Sequence, residues 1–271
     1  MSLIQYKTNE EIELIRESNL LVSKTHALLA EMVAPGISAK KLDEQAEAFI
    51  RDHGGRPAFK GYGGFPATLC ISINEQVVHG IPSDRELKED DVVSIDCGVE
   101  LNGFYGDSAY TYLMPEVSEE AVELCRVTEE SLYIGIEKAV VGNRLHAIGH
   151  AIQQYAEKEH GYGVVRELVG HGIGRDLHEP PQVPNYGSKR RGIKIKAGLV
   201  IAIEPMVNLK TAKVMELKDG WTIVTRDGKP SAHYEHTVAV TKAGPQILSD
   251  HQMIKEKLKN NPNIKQLSVK I

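Results

Sequence analysis

The chain has 271 residues, ample for one large core, with 41% apolar residues, 25% charged residues and a net charge of −5. That mild acidity gives no general reason to expect a nucleic-acid partner, and no apolar run approaches a membrane span. The three cysteines, Cys70, Cys97 and Cys125, form no CxxC pair, and the N-terminus lacks the basic-then-apolar pattern of a signal peptide, so a cytoplasmic protein is expected.

In chain order, Thr8 with Glu11 makes a capping-box pattern, and Ile12, Ile15, Val22, Leu29 and Met32 recur on one helical face. That helix is expected to stop at Val33-Ala34-Pro35-Gly36. A second helix starts at Ser38 and runs to His53-Gly54. A glycine-rich loop then carries Phe59, Tyr62 and Phe65, and a strand over 68–73 is followed by His79 near a bend. Residues 92–112, VVSIDCGVELNGFYGDSAYTY, read as two strands joined at Leu101-Asn102-Gly103. They hold Asp96 and Asp107, acids where a strand usually excludes them. Ser118 opens a third helix, expected through Val140, and a fourth runs from about Arg144 to His160-Gly161. Within 164–186, the glycines flanking His171 allow the backbone to pass close to a ligand or another strand, and prolines stiffen the stretch after His178. The hairpin expected at 218–228 carries Trp221. Beyond 250 a lysine-rich segment reads as a solvated helix end and loose terminus.

The second half repeats the first. KEDDVVSID at 88–96 is matched by KAGLVIAIE at 196–204, each a lysine, a turn, an apolar strand and a carboxylate. A later strand, HYEHTVAVT at 233–241, carries Glu235 as the earlier hairpin carries Asp107. From the helices through the first acidic strand the offset between halves stays between 106 and 110 residues, and the hairpin around Trp221 delays only the last strand. The expectation is an α+β fold with pseudo-repeats at about 8–114 and 118–248, one catalytic domain over 1–250, and a basic tail over 251–271.

Asp96, Asp107, His171, Glu204 and Glu235 are then candidates for one site. Four carboxylates gather only if protons or divalent cations neutralise them. Four acids and one imidazole are too many for a single tetrahedral zinc and suit two ions sharing bridging carboxylates, which together activate water and polarise a carbonyl or phosphoryl oxygen. Oxygen-rich ligation favours manganese, iron(II) or cobalt. The chemistry points to a two-metal hydrolase and leaves open whether an amide, an ester or a phosphate is cut.

The order ID at 95–96, GD at 106–107, GHGIG at 170–174, IEPM at 203–206 and YEHT at 234–237 resembles that of the type I methionine aminopeptidases in their bacterial short form, over residues 8–248. The resemblance implies the pita-bread fold, with two pseudo-symmetric halves of paired helices on curved antiparallel strands. It implies a cofactor of two divalent ions (cobalt, manganese, iron or zinc), with Asp96 on one ion, His171 and Glu204 on the other, and Asp107 and Glu235 bridging. Matched by position, His79 and His178 hold the scissile amide, Glu204 moves protons, and Tyr62, Phe65, Cys70 and Trp221 line a methionine pocket. The implied reaction is attack of metal-bound hydroxide on the first peptide bond of nascent polypeptides whose second residue is small. A cytoplasmic monomer is expected, with no membrane partner and with the lysine tail as a contact for the ribosome. Phe59, Leu168, Leu177 and Ala202 depart from the residues usual in the family, which bears on pocket shape and metal tuning. The rival of the same fold is a proline-specific peptidase.

Overall fold

The structure is a computed structural model describing residues 3–269. Helix α1 (Asn9–Met32) begins at the expected capping box, with the Glu11 N–H on Thr8 Oγ1 at 3.2 Å and the Thr8 N–H on the Glu11 carboxylate at 3.0 Å. Helix α2 (Ala39–Asp52) is capped by Ser38, and α3 (Glu119–Ile136) by Ser118. The third helix ends at Ile136 rather than Val140 because the chain turns back there. Helix α4 (His146–Gln153) returns so closely on α3 that a Cβ on Gly135 would lie 2.8 Å from Ile152. A π turn, Gln154–Glu159, extends α4 to the expected end.

Strand Val92–Leu101 pairs along its whole length with Phe104–Leu113, from Val92 opposite Leu113 to Leu101 opposite Phe104. The connection is shorter than the expected Leu101-Asn102-Gly103, because Leu101 pairs with Phe104 and leaves a two-residue turn, Asn102 and Gly103 both having positive φ (54° and 77°), which matches the twist of a hairpin. Leu69–Ile73 pairs with the other edge of Val92–Leu101. In the second half Val200–Ile203 pairs antiparallel with His236–Thr241, and Gly170–Gly172 joins the outer edge. The repeat read in the sequence therefore corresponds to two antiparallel pairs, each backed by two helices. Between them the insertion forms the hairpin Val214–Glu216 with Ile223–Thr225, which reaches over to pair with Gln76–Val78 beside His79.

One apolar cluster runs through both halves, from Leu29 and Leu42 through Ile95 and Tyr112 to Leu124, Ile148, Ile201 and Val238. Ile254, Leu258 and Ile264 belong to it too, which corrects the reading of the segment after 250 as loose. Helix α5 (His251–Leu258) is docked. Asn261 Nδ2 donates to the Ala30 and Val33 carbonyls at the end of α1 (2.8 and 2.9 Å), and the Lys265 N–H bonds the Leu113 carbonyl at 2.9 Å. Its lysines answer acids of the body: Lys255 with buried Glu129 (2.7 Å), and Lys257 with Glu31 and Lys265 with Glu119 (2.6 Å each). The last two residues of that segment lie outside the described range.

Candidate metal centre

The two halves meet at a seam between Phe104–Leu113 and the segment entering His236–Thr241. Asp107 and Glu235 face each other across it. Gly106 precedes Asp107 because α1 rests directly on the strand there: a Cβ would lie 2.6 Å from the Asn19 nitrogen. The glycines around His171 serve strand packing in the same way, since a Cβ on Gly170 would meet the Ala202 carbonyl at 2.3 Å and one on Gly172 the Pro180 carbonyl at 2.4 Å.

All the candidate residues line one cavity of about 210 Å³: Asp96, Asp107, His171, Glu204 and Glu235 at its floor, with His79, His178, Tyr62, Phe65, Cys70 and Trp221 around them. Phe59 and Leu177 complete the apolar wall. Trp221 arrives on the inserted hairpin and meets Phe65 edge-on, ring centres 5.1 Å apart. His79 has φ 59°, a left-handed conformation uncommon outside glycine and often found where a side chain must be aimed. Tyr62, 46% exposed, stands at the mouth with its hydroxyl 2.8 Å from His178 Nδ1.

Ligand atoms of Asp107, His171 and Glu235 lie within 4.8 Å of one another. His171 Nδ1 is 2.9 Å from the Gly172 carbonyl, which can only accept, so Nδ1 carries the proton and Nε2 presents a lone pair. That lone pair faces Glu204 Oε1 at 3.6 Å and Asp107 Oδ2 at 3.8 Å. Acceptors facing acceptors, beyond hydrogen-bond distance, are reconciled by a proton or by a cation between them. Buried oxygens of Asp96 (Oδ1), Asp107 (Oδ1) and Glu235 (Oε1) have no hydrogen-bond partner among the described residues. Removal from water pushes Asp96 up to about 7 and Glu204 up to about 8, and it raises Asp107 and Glu235 well above the carboxylate range, with the neighbouring acids adding to the shift of both. Burial holds His171 down at about 3, neutral and ready to ligate. The donor set thus fits divalent cations.

His233 was absent from the sequence candidates. It is buried, its Nε2 has no hydrogen-bond partner among the described residues, and that atom lies 3.5 Å from Glu204 Oε2. Its position two before Glu235 was the available signal. With Leu168, Met206 and Gln182 it lines a second cavity of about 450 Å³, which shares Asp96, His171, Glu204, His79 and His178 with the first. The acids stand between an apolar chamber and a wider, more open one.

A family profile described as "Metallopeptidase family M24" matches residues 13–242. The chain belongs to metallopeptidase family M24. Among M24 relatives it is 56% identical to the methionine aminopeptidase of Clostridium perfringens and 51% identical to methionine aminopeptidase 1 of Bacillus subtilis, each over 91% of this chain and 99% of the relative. The crystal structure of methionine aminopeptidase from Rickettsia prowazekii superposes with a TM-score of 0.90 at 40% identity, covering 92% of this chain and all of the other. The prolidase of Pyrococcus furiosus, at 24% identity, has a TM-score of 0.72, and this chain spans 65% of it, a likeness of fold alone. The architecture is the pita-bread fold of M24, with antiparallel sheets and the acid cluster at its centre. Helix α5 lies beyond the matched residues.

Proposed function

We propose that this M24 enzyme is a methionyl aminopeptidase, removing the N-terminal methionine of nascent polypeptides when the second residue is small. The observation that carries the reading is the buried cluster of four acids and one neutral imidazole, with an oxygen of Asp96, Asp107 and Glu235 each lacking a hydrogen-bond partner among the described residues, beneath the aromatic cavity of a chain about half identical to methionine aminopeptidases over nearly their whole length.

In this reading Asp96, Asp107, His171, Glu204 and Glu235 would together hold two divalent ions. Bound ions would supply Lewis acidity toward the peptide carbonyl and bring the pKa of water near neutrality. Their oxygen-rich surroundings suit manganese, iron(II) or cobalt better than zinc. Glu204, as the carboxylate that bound cations would maintain, would take a proton from the attacking water and deliver it to the leaving amine. His79, which burial holds at about 4, and His178, also lowered by burial, are neutral donors toward the scissile amide. The Tyr62 hydroxyl, 2.8 Å from His178 Nδ1, fixes the orientation of that ring, and a donating Tyr62 would leave the ring proton on Nε2. Phe59, Phe65, Leu177 and Trp221 exclude water from the first side chain, and burying a methionine there contributes roughly 1.5–3 kcal/mol. The backbone beside His79 limits the second residue, because Gly80 is already packed on the Ile71 carbonyl.

The test is release of free methionine from Met-Ala, Met-Ser, Met-Leu and Met-Lys peptides, acetylated Met-Ala and Ala-Pro peptides, with the metal varied. Met-Ala and Met-Ser should be cleaved, the acetylated peptide should not, and EDTA should abolish the reaction. Equal rates on Met-Ala and Met-Lys would remove the small-residue rule. Faster release from Ala-Pro than from any methionyl peptide would make the enzyme a proline peptidase.

A further inference from the structure

Every main-chain polar group of Asp107 and Glu235 is held. The Asp107 N–H donates to Asn19 Oδ1 of α1 at 3.2 Å, and its carbonyl accepts from Thr237 Oγ1 at 2.8 Å. The Glu235 N–H donates to the Ala109 carbonyl at 3.0 Å, and its carbonyl accepts from Ser108 Oγ at 2.7 Å. Ser108 is gripped in turn from two helices. His26 Nε2 of α1 lies 2.9 Å from the Ser108 carbonyl, and His251 Nε2 of α5 lies 3.0 Å from Ser108 Oγ. Ser108, His26 and His251 are at most 3% exposed, so water cannot replace these bonds.

The proton count fixes the direction. Ser108 has one hydroxyl proton and gives it to the Glu235 carbonyl, so its oxygen accepts from His251, whose proton is therefore on Nε2. His251 Nδ1 is then a buried acceptor, and it has no partner among the described residues. An apolar ring would fill the same place against His236 and Tyr110 without that cost, but it would lose the polar contacts to Ser108 and to the Glu235 main chain.

We infer that His251 is a positioning residue of the metal centre, acting through Ser108 to fix the main chain from which Glu235 and Asp107 project. The inference rests on the proposed role of those two acids as metal ligands. It makes α5 part of the site's support, although α5 lies beyond residues 13–242.

The experiment titrates Mn²⁺ into the full-length, EDTA-treated protein by calorimetry, with urea unfolding of the same apoprotein in parallel. His251→Ala and Ser108→Ala should each weaken the Mn²⁺ Kd by about 10–100-fold, the range for partners that orient metal ligands. His251→Gln, which keeps a donor, should recover most of that loss. Ile254→Ala, on the same helix and fully buried, should lower the urea midpoint while keeping the wild-type Kd. At saturating Mn²⁺ the KM for Met-Ala should stay unchanged in all of them. Wild-type Kd in both His251→Ala and Ser108→Ala would overturn the inference. So would a Kd weakened as much by Ile254→Ala as by His251→Ala, since α5 would then act only through stability. A wild-type protein that binds no Mn²⁺ at all would end the metal reading itself, a result distinct from either.

Discussion

At the scale of single residues, the cavity separates groups that hold charge from groups proposed to hold substrate. Asp107 and Glu235 lie between the proposed ions, and replacing either with alanine removes negative charge where the site is most crowded with acids. His79 and His178 donate from rings that do not touch the acid oxygens in a hydrogen bond. Asp107→Ala and Glu235→Ala should therefore lose metal along with activity, whereas His79→Ala and His178→Ala should keep their metal and lose roughly 10²–10³ in kcat, the usual loss for one aimed donor. Metal analysis of the four proteins beside their kinetics checks this; metal lost from His178→Ala would redraw the ligand set. Tyr62→Phe, which frees His178 Nδ1, should fall between wild type and His178→Ala.

At the scale of elements, the segment before α1 reaches the catalytic loop. Lys7 Nζ pairs with Glu179 Oε2 at 2.6 Å, both side chains at most 3% exposed. Glu179 Oε1 accepts the N–H groups of Arg175 and Asp176 (2.9 and 3.3 Å), closing the loop that presents His178. Lys7→Ala leaves a buried carboxylate without its cation and should cost about 3–5 kcal/mol in urea unfolding, with kcat reduced and metal content kept. A change under 1 kcal/mol would mean that the pair is not needed. What the sequence disclosed follows from which signals are local. The Thr8 box, the Asn102-Gly103 turn and the twin strands, one carrying Asp96 within it and the other followed at once by Glu204, are local patterns, and they folded as cap, turn and strands. The union of Ile223–Thr225 with Gln76–Val78 joins distant segments with no pattern in common, so nothing in either announced it. His233 stood in the strand quoted for Glu235, but a histidine carries no sign of which face it will take. In α5 the lysines hid the apolar positions Ile254 and Leu258, which are one helical turn apart and face α1.

At the scale of the whole molecule, charge and pH can be followed together. His26 is fully buried beside the seam, and burial lowers it from the ordinary imidazole value of 6.5 to about 4. The unfolded chain thus binds a proton that the folded chain refuses. Stability is complete above pH 6.5, falls between pH 6.5 and 4 by about 1.4 kcal/mol per pH unit for this one ring, and levels off below 4. Urea midpoints across that range should show the slope, and His26→Gln should flatten it by one proton. The exposed charge is distributed unlike the sequence reading. Lys255 is spent on buried Glu129, and Lys257 and Lys265 on the surface acids Glu31 and Glu119, while Lys189, Arg190, Arg191 and Lys194 are exposed and form no ion pair among the described residues. For a ribosome contact we favour this loop over the C-terminal segment, because unpaired cations are what a phosphate surface selects. Co-sedimentation with ribosomes should be lost with K189E/R190E/R191E and kept with K257E, and the reverse pattern would restore the C-terminal reading.

The docking of α5 also sets an order in time. Asn261 completes the end of α1 at carbonyls 228 and 231 positions earlier, so α1 leaves the ribosome with its groove open and waits for the last stretch of chain to be made. Contacts this distant in sequence form late. If His251 steadies the acids, a growing copy holds metal only weakly before residue 251 has emerged, and copies finished before it are better placed to attend to its own first residue. Arrested chains ending at residue 245 should hold Mn²⁺ far more weakly than arrested chains that have exposed residue 269; equal retention would show that the early part of the fold suffices.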